Sequence, residues 1–192
     1  MKRILVTVMI LSFSISVVSA GLISFGFGAH ALNTNPIVDD TVEMGSWEDW
    51  KMGGEIRLGV LFLEAGINGQ MIESDRMEGL VTVGTSLSLF DLLHLGVGAG
   101  PAFGIDNSGG EIGWLQIGAN GNEQYTNDLG EVINGGLIHY RAHGDLKIGR
   151  ISFGFTYQVP SKGYTLDNND VLEIGPDWDE GRIGTSLLFW LF

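Results

Sequence analysis

The chain has 192 residues, no cysteine, 30 glycines against 4 prolines, and a formal net charge of −13. The missing cysteine excludes disulfide staples and the attachment point of a lipoprotein. The excess of Asp and Glu excludes binding of nucleic acid through its phosphates, which call for Lys and Arg.

Residues 1–20 read as a signal peptide. Lys2 and Arg3 make a positive start, Ile4 to Val18 is apolar, and Val18-Ser19-Ala20 places small residues where a signal peptidase cuts, before Gly21. The apolar stretch, about 15 residues, falls short of the ~20 that a membrane-spanning helix needs. Residues 21–192 read as one domain. No low-complexity tract holds the glycines, so they are expected inside ordered structure.

After residue 20 no long segment has helical periodicity. Segments of roughly ten residues instead alternate in polarity, the strand period. In the first, Ile23, Phe25, Phe27 and Ala29 oppose Ser24, Gly26, Gly28 and His30. The second, about 51–60, sets Ile56, Leu58 and Val60 against Glu55, Arg57 and Gly59. After a phase slip at Leu61-Phe62, a third sets Leu63, Ala65, Ile67 and Met71 against Glu64, Gly66, Asn68 and Gln70. The fourth carries Val81, Val83, Thr85, Leu87 and Leu89 opposite Thr82, Gly84, Ser86 and Ser88. Beyond a turn at Phe90-Asp91-Leu92, the fifth carries Leu93, Leu95, Val97 and Ala99 opposite His94, Gly96, Gly98 and Gly100. The sixth, about 137–148, has His139, Arg141, His143, Asp145 and Lys147 on one face. A turn at Gly149-Arg150 leads to the seventh, with Ile151, Phe153, Phe155 and Tyr157 against Ser152, Gly154, Thr156 and Gln158. The eighth runs from about 181 to Phe192 with ambiguous phase, because both faces turn apolar after Leu187.

Short connections near 61, 91 and 149 alternate with long ones at about 32–50, 73–79, 105–136 and 161–179. Short turns on one side and long loops on the other are the layout of a transmembrane barrel, with short periplasmic turns and long external loops. The less apolar face consists mostly of Gly, Ser and Thr. A water-facing surface would carry far more Lys and Glu, so this face is expected inside a narrow eight-stranded barrel and the apolar face against lipid. The expected fold is all-β: an antiparallel up-and-down transmembrane β-barrel of about eight strands. Tyr140 and Tyr157 at the loop ends of their strands, and Phe62, Trp190 and Phe192 at the turn ends, would form two interfacial girdles.

The last strand closes Leu187-Leu188-Phe189-Trp190-Leu191-Phe192. A terminal Phe192 with aromatic Trp190 two positions earlier resembles the C-terminal signature of outer-membrane barrels. That resemblance implies recognition by the barrel-assembly machinery, residence in the bacterial outer membrane after export through the inner membrane, and contact with outer-membrane lipids and lipopolysaccharide. With the signal peptide and the eight-strand layout, the chain resembles the small-barrel superfamily of the outer-membrane protein A membrane domain and outer-membrane proteins X and W. No residue motif selects one of these families, so no family site residues are carried over.

Charges expected in the lumen are Glu55, Glu64 and Asp145 against Arg57, Arg141, Lys147 and Arg182. Near-balanced signs in a narrow barrel point to a paired polar network, since an unpaired buried charge is costly. His139, Arg141, His143 and Asp145 share a face. Two imidazoles and a carboxylate could hold a metal or move protons, but interior hydrogen bonding is the expected role, with no cofactor and no metal. An outer-membrane lipid A deacylase uses His, Ser and a carboxylate; neither His here is followed two residues later by Ser, so that likeness fails. Gly96-Val97-Gly98-Ala99-Gly100-Pro101 looks like a nucleotide loop, yet no helix follows and its glycines alternate on one strand face. Most carboxylates fall in the long connections: Asp39, Asp40, Glu43, Glu48 and Asp49; Glu73, Asp75 and Glu78; Asp106, Glu111, Glu123, Asp128 and Glu131; and Asp167 to Glu180. They read as a solvated anionic surface, with Trp47, Trp50 and Trp114 as contact residues or interface anchors.

The expected function is a non-enzymatic scaffold displaying loops for envelope integrity, adhesion or recognition of an extracellular ligand whose identity the residues do not specify. The alternative is a narrow conduit for small or hydrophobic solutes, and the third reading is a lipid-modifying enzyme.

Overall fold

A chain that alternates small or charged side chains with large apolar ones satisfies both faces most simply as a sheet closed on itself. The computed structural model describes residues 23–35, 46–107, 112–118, 123–168 and 171–191. The expected signal peptide, Asp39, Asp40, Glu43, Glu111, Asp170 and Phe192 lie outside the described residues.

Among the described residues ten strands and one short α-helix follow in chain order: β1 (Ile23–Asn33), β2 (Trp50–Val60), β3 (Leu63–Met71), β4 (Arg76–Leu89), β5 (Leu93–Asp106), β6 (Gly113–Ile117), β7 (Glu123–Thr126), α1 (Leu129–Gly135), β8 (Ile138–Ile148), β9 (Ile151–Pro160) and β10 (Arg182–Trp190). Eight of these strands form an antiparallel ring in the order β1-β2-β3-β4-β5-β8-β9-β10. It closes where Phe27 of β1 stands opposite Phe189 of β10, and is continuous across β4 and β5, where Gly84 stands opposite Gly98. The shortest ring strands, β3 and β10, have 9 residues, and β1, β2 and β8 have 11. That is the length a tilted strand needs to cross hydrocarbon. No helix among the described residues is long and apolar enough to cross a membrane.

Three tight connections define one end of the cylinder, the turn end. Leu61 (φ 59°), Phe90 (φ 54°), Asp91 (φ 53°) and Gly149 (φ 63°) take the left-handed conformation that tight hairpins require. At the opposite, loop end the structure corrects two expectations. The connection expected at 73–79 spans only 72–75, because β4 begins at Arg76 and pairs Met77 with Met71. The connection expected at 105–136 is folded: β6 pairs with the end of β5, β7 with β6, and α1 returns the chain to β8. At the loop end α1 packs on β6 and β5, and Leu115 of β6, Val132 of α1, Leu80, Ala102 and Leu137 are all buried, at 7% exposure or less.

The two barrel faces settle the phase. Ile56, Ile67, Val83, Val97, Phe153 and Phe155 are exposed on the outside, Phe155 to 75%, while His30, Glu55, Arg57, Asn68, Asp145 and Ser152 inside are all at 2% or less. This inverts the arrangement of a soluble barrel and is that of a cylinder surrounded by hydrocarbon. In β10, Ser186, Leu188 and Trp190 turn inward, whereas Leu187 and Phe189 face out; Leu191, just past the strand, is also exposed. Trp190 is therefore a lumen side chain rather than a girdle residue. The lumen wants a large ring there, and the indole N–H finds Ser152 Oγ at 2.9 Å. Phe62 is 63% exposed at the turn end. At the loop end Tyr140 donates to the Ile174 carbonyl and Tyr157 stacks on Trp178 with ring centroids 6.3 Å apart.

Candidate functional site

The lumen is built from glycine opposite charge. Arg57 has Gly26 and Gly66 as its cross-strand neighbours, and Glu64 has Gly59 and Gly84. His143 faces Gly96 and Asp145 faces Gly154. A Cβ at Gly96 would run into the His143 ring, and one at Gly154 into the Asp145 carboxylate. Glycine provides the space that the long polar side chains occupy, which accounts for glycine-rich strands in a sheet that otherwise disfavours them.

At mid-height the side chains make one ion cluster. Arg57 Nε donates to Glu55 Oε1 and its Nη1 to Asp145 Oδ2, while Arg141 Nη2 donates to the same Glu55 oxygen. Arg141 also donates to Thr156 Oγ1 at 3.3 Å. Arg57, Glu55 and Asp145 are at 0% side-chain exposure, and Arg141 is at 3%. Charges this deep persist only when paired and hydrogen-bonded. Just beyond the cluster, His30 and Asn68, both 1% exposed, find no hydrogen-bond partner among the described residues.

Toward the turn end lies a second cluster. The Glu64 carboxylate is faced by His94 Nε2 at 2.7 Å from one oxygen and by His143 Nε2 at 3.2 Å from the other. Ser88 Oγ sits 2.9 Å from His94 Nδ1. The two imidazoles stack at 5.7 Å, and Trp190 meets His94 edge-on at 5.4 Å. Ser88, His94 and Glu64 stand in the hydrogen-bond order of a hydrolase triad. The cavity beside Glu64 and His143 measures only about 10 Å³, room for a water and not for an acyl chain.

Toward the loop end the lumen opens into a polar vestibule of about 590 Å³, lined by Gln70, His139, Gln158 and Arg182 and, higher up, by Glu78, Glu123 and Lys162. His139 Nδ1 lies 3.3 Å from Gln158 Nε2. One rim is held by Arg76, which donates through Nη1 to Glu123 Oε2 at 2.9 Å and through Nη2 to Glu78 Oε1 at 2.9 Å. Tyr125 donates to Asp106 beside it.

Eight of the nine lumen residues expected from alternation fall in three places. Glu55, Arg57, Arg141 and Asp145 share the mid-height cluster. Glu64 and His143 belong to the turn-end cluster, and His139 and Arg182 line the vestibule. Lys147 is half-exposed at the turn end, its Nζ 5.3 Å from the centre of a Trp190 ring. Neither Lys147 nor Arg182 makes an ion pair among the described residues. His94, Ser88, His30 and Asn68 were not singled out as candidates. Each sits on the polar face of its strand, which was the available signal; what each meets depends on cross-strand register.

Ring closure, outward apolar face and polar filling together define a transmembrane-type, eight-stranded antiparallel β-barrel with a plugged middle. No protein-family model matches the sequence, and no curated protein matches it. Among solved structures the chain is similar to Ail, the attachment invasion locus protein of Yersinia pestis, at 12% identity and TM-score 0.38, covering 88% of this chain and 93% of that one. Ail in complex with the heparin analogue sucrose octasulfate gives 12% identity and TM-score 0.36, with 88% and 94% covered. Neisserial surface protein A gives 9% identity and TM-score 0.37, with 88% and 94% covered.

Proposed function

We propose that the protein is a non-enzymatic outer-membrane barrel whose plugged cylinder holds a structured, acidic loop end at the cell surface for recognition, adhesion or envelope integrity. The observation that carries this reading is the contrast along the axis. The middle is filled by the Arg57, Glu55, Asp145 and Arg141 cluster, whereas the loop end opens into a vestibule rimmed by an ion-paired hairpin. A side-chain plug of this kind fixes the scaffold and leaves discrimination to the loops. The segment at residues 1–20 would direct export, and the aromatic pair Trp190 and Phe192 would serve the assembly machinery. The outward apolar face would then contact outer-membrane lipid and lipopolysaccharide.

The competing conduit reading needs a path past the cluster. The deciding experiment is conductance of the refolded protein in a planar bilayer at moderate salt. The expected result is a folded, inserted and silent barrel. Reproducible conductance steps that change on Arg57→Ser or Arg141→Ser would overturn the scaffold reading and make the lumen the functional site.

A further inference from the structure

At mid-height the arginines pair with two carboxylates: Arg57 serves Glu55 and Asp145, and Arg141 serves Glu55, while Glu55 Oε2 and Asp145 Oδ1 stay without a hydrogen-bond partner among the described residues. Among the described residues Glu64 is the buried carboxylate that pairs with no arginine. The groups facing its two oxygens are imidazoles, one ring nitrogen each. The donor atoms of Glu64, His94 and His143 all lie within 4.8 Å of one another. His143 is 9% exposed, and its Nε2 points at this carboxylate without making a hydrogen bond. A buried ring nitrogen aimed at a carboxylate oxygen, with no proton geometry between them, is the arrangement a shared cation satisfies.

We infer that Glu64, His94 and His143 form a binding site for a borderline divalent cation of the zinc class inside the turn end of the barrel. Two imidazoles and one carboxylate suit Zn²⁺; Ca²⁺ and Mg²⁺ call for oxygen ligands throughout. The outer contacts are those a metal-binding histidine needs. Ser88 holds His94 Nδ1, so the metal would take Nε2 in place of its 2.7 Å hydrogen bond to Glu64 Oε2, and Trp190, fixed by Ser152, closes the site from the turn end. A cavity of about 10 Å³ beside Glu64 and His143, lined also by Thr82 and Arg141, is of the size of one water. A metal here ties β3, β5 and β8 across the lumen, so its function is structural.

The site is closed, so the test loads it during folding. The protein is refolded in detergent micelles with stoichiometric Zn²⁺, dialysed against metal-free buffer and assayed for retained metal. A parallel sample is loaded with Co²⁺ for visible absorption. The expected result is one zinc per chain and an intense tetrahedral cobalt spectrum. Glu64→Gln and His143→Gln lose both, Ser88→Ala weakens retention about 10–100-fold, and His139→Gln in the vestibule changes nothing. Absence of retained metal and of the cobalt spectrum in the wild-type barrel, shown folded by its heat-dependent gel mobility, overturns the inference. Retention that Glu64→Gln and His143→Gln leave intact also overturns it. The cobalt spectrum of the wild-type protein decides the matter even where a variant fails to fold.

Discussion

Arg57 is a full positive charge at zero exposure, held by two carboxylates from β2 and β8. Its removal strands Asp145, whereas Glu55 keeps Arg141. Breaking one partner of a buried pair costs about 3–5 kcal/mol. Arg57→Met is expected to lower stability by that amount, read as a shift of the urea midpoint followed by tryptophan fluorescence. The cluster residues Glu55, Arg57, Arg141 and Asp145 were legible in the sequence because strict alternation puts each on the face opposite Ile56, Leu58, Ala142 and Leu146. The approach of His94 to Glu64 was not, because it depends on the register of β3 with β4 and of β4 with β5. The direction of Trp190 was not legible either: Leu187 to Phe192 is apolar at every position, so period two carries no information there.

Among the elements, the hairpins at the turn end were the most legible, since a phase slip in an alternating pattern marks a tight reversal. Their backbone demands can be tested at Gly149 (φ 63°), where a Cβ would meet no heavy atom within 4 Å and only the conformation objects. Gly149→Ala is expected to destabilise the β8–β9 hairpin and the barrel by about 1 kcal/mol, measured by equilibrium urea unfolding. The loop end was less legible. β4 starts earlier than its alternation suggests because Leu80, buried at 2%, sits on the polar face with Thr82 and Ser86. It stands next to Val81 in sequence, so the pattern loses its period at that point. β6 and β7, of 5 and 4 residues, are too short to show a period in a stretch rich in Gly and Asn. α1, capped by Asp128 accepting from the Gly130 N–H at 2.7 Å, has only 7 residues.

For the molecule as a whole, the outward apolar surface specifies its solvent. Phe155, at 75% exposure near the middle of β9, would be a liability in water. Phe155→Lys is expected to cost ~2–4 kcal/mol in lipid bilayers, measured by urea unfolding from vesicles; no such cost would arise on a water-facing barrel. The same solvent gives the seam between β1 and β10 a further consequence. Gly26 to Leu32 of the first strand are latched to Gly184 to Trp190 of the last, from opposite ends of the described chain. In hydrocarbon an unlatched pair of edges leaves two rows of backbone N–H and C=O groups without partners. Growth of the chain therefore offers no stable way-station. A nascent polypeptide halted before β10 has no partial cylinder to rest in, so a truncation there acts as a complete loss rather than a graded one. The quality of the finished product is decided at a single closing event.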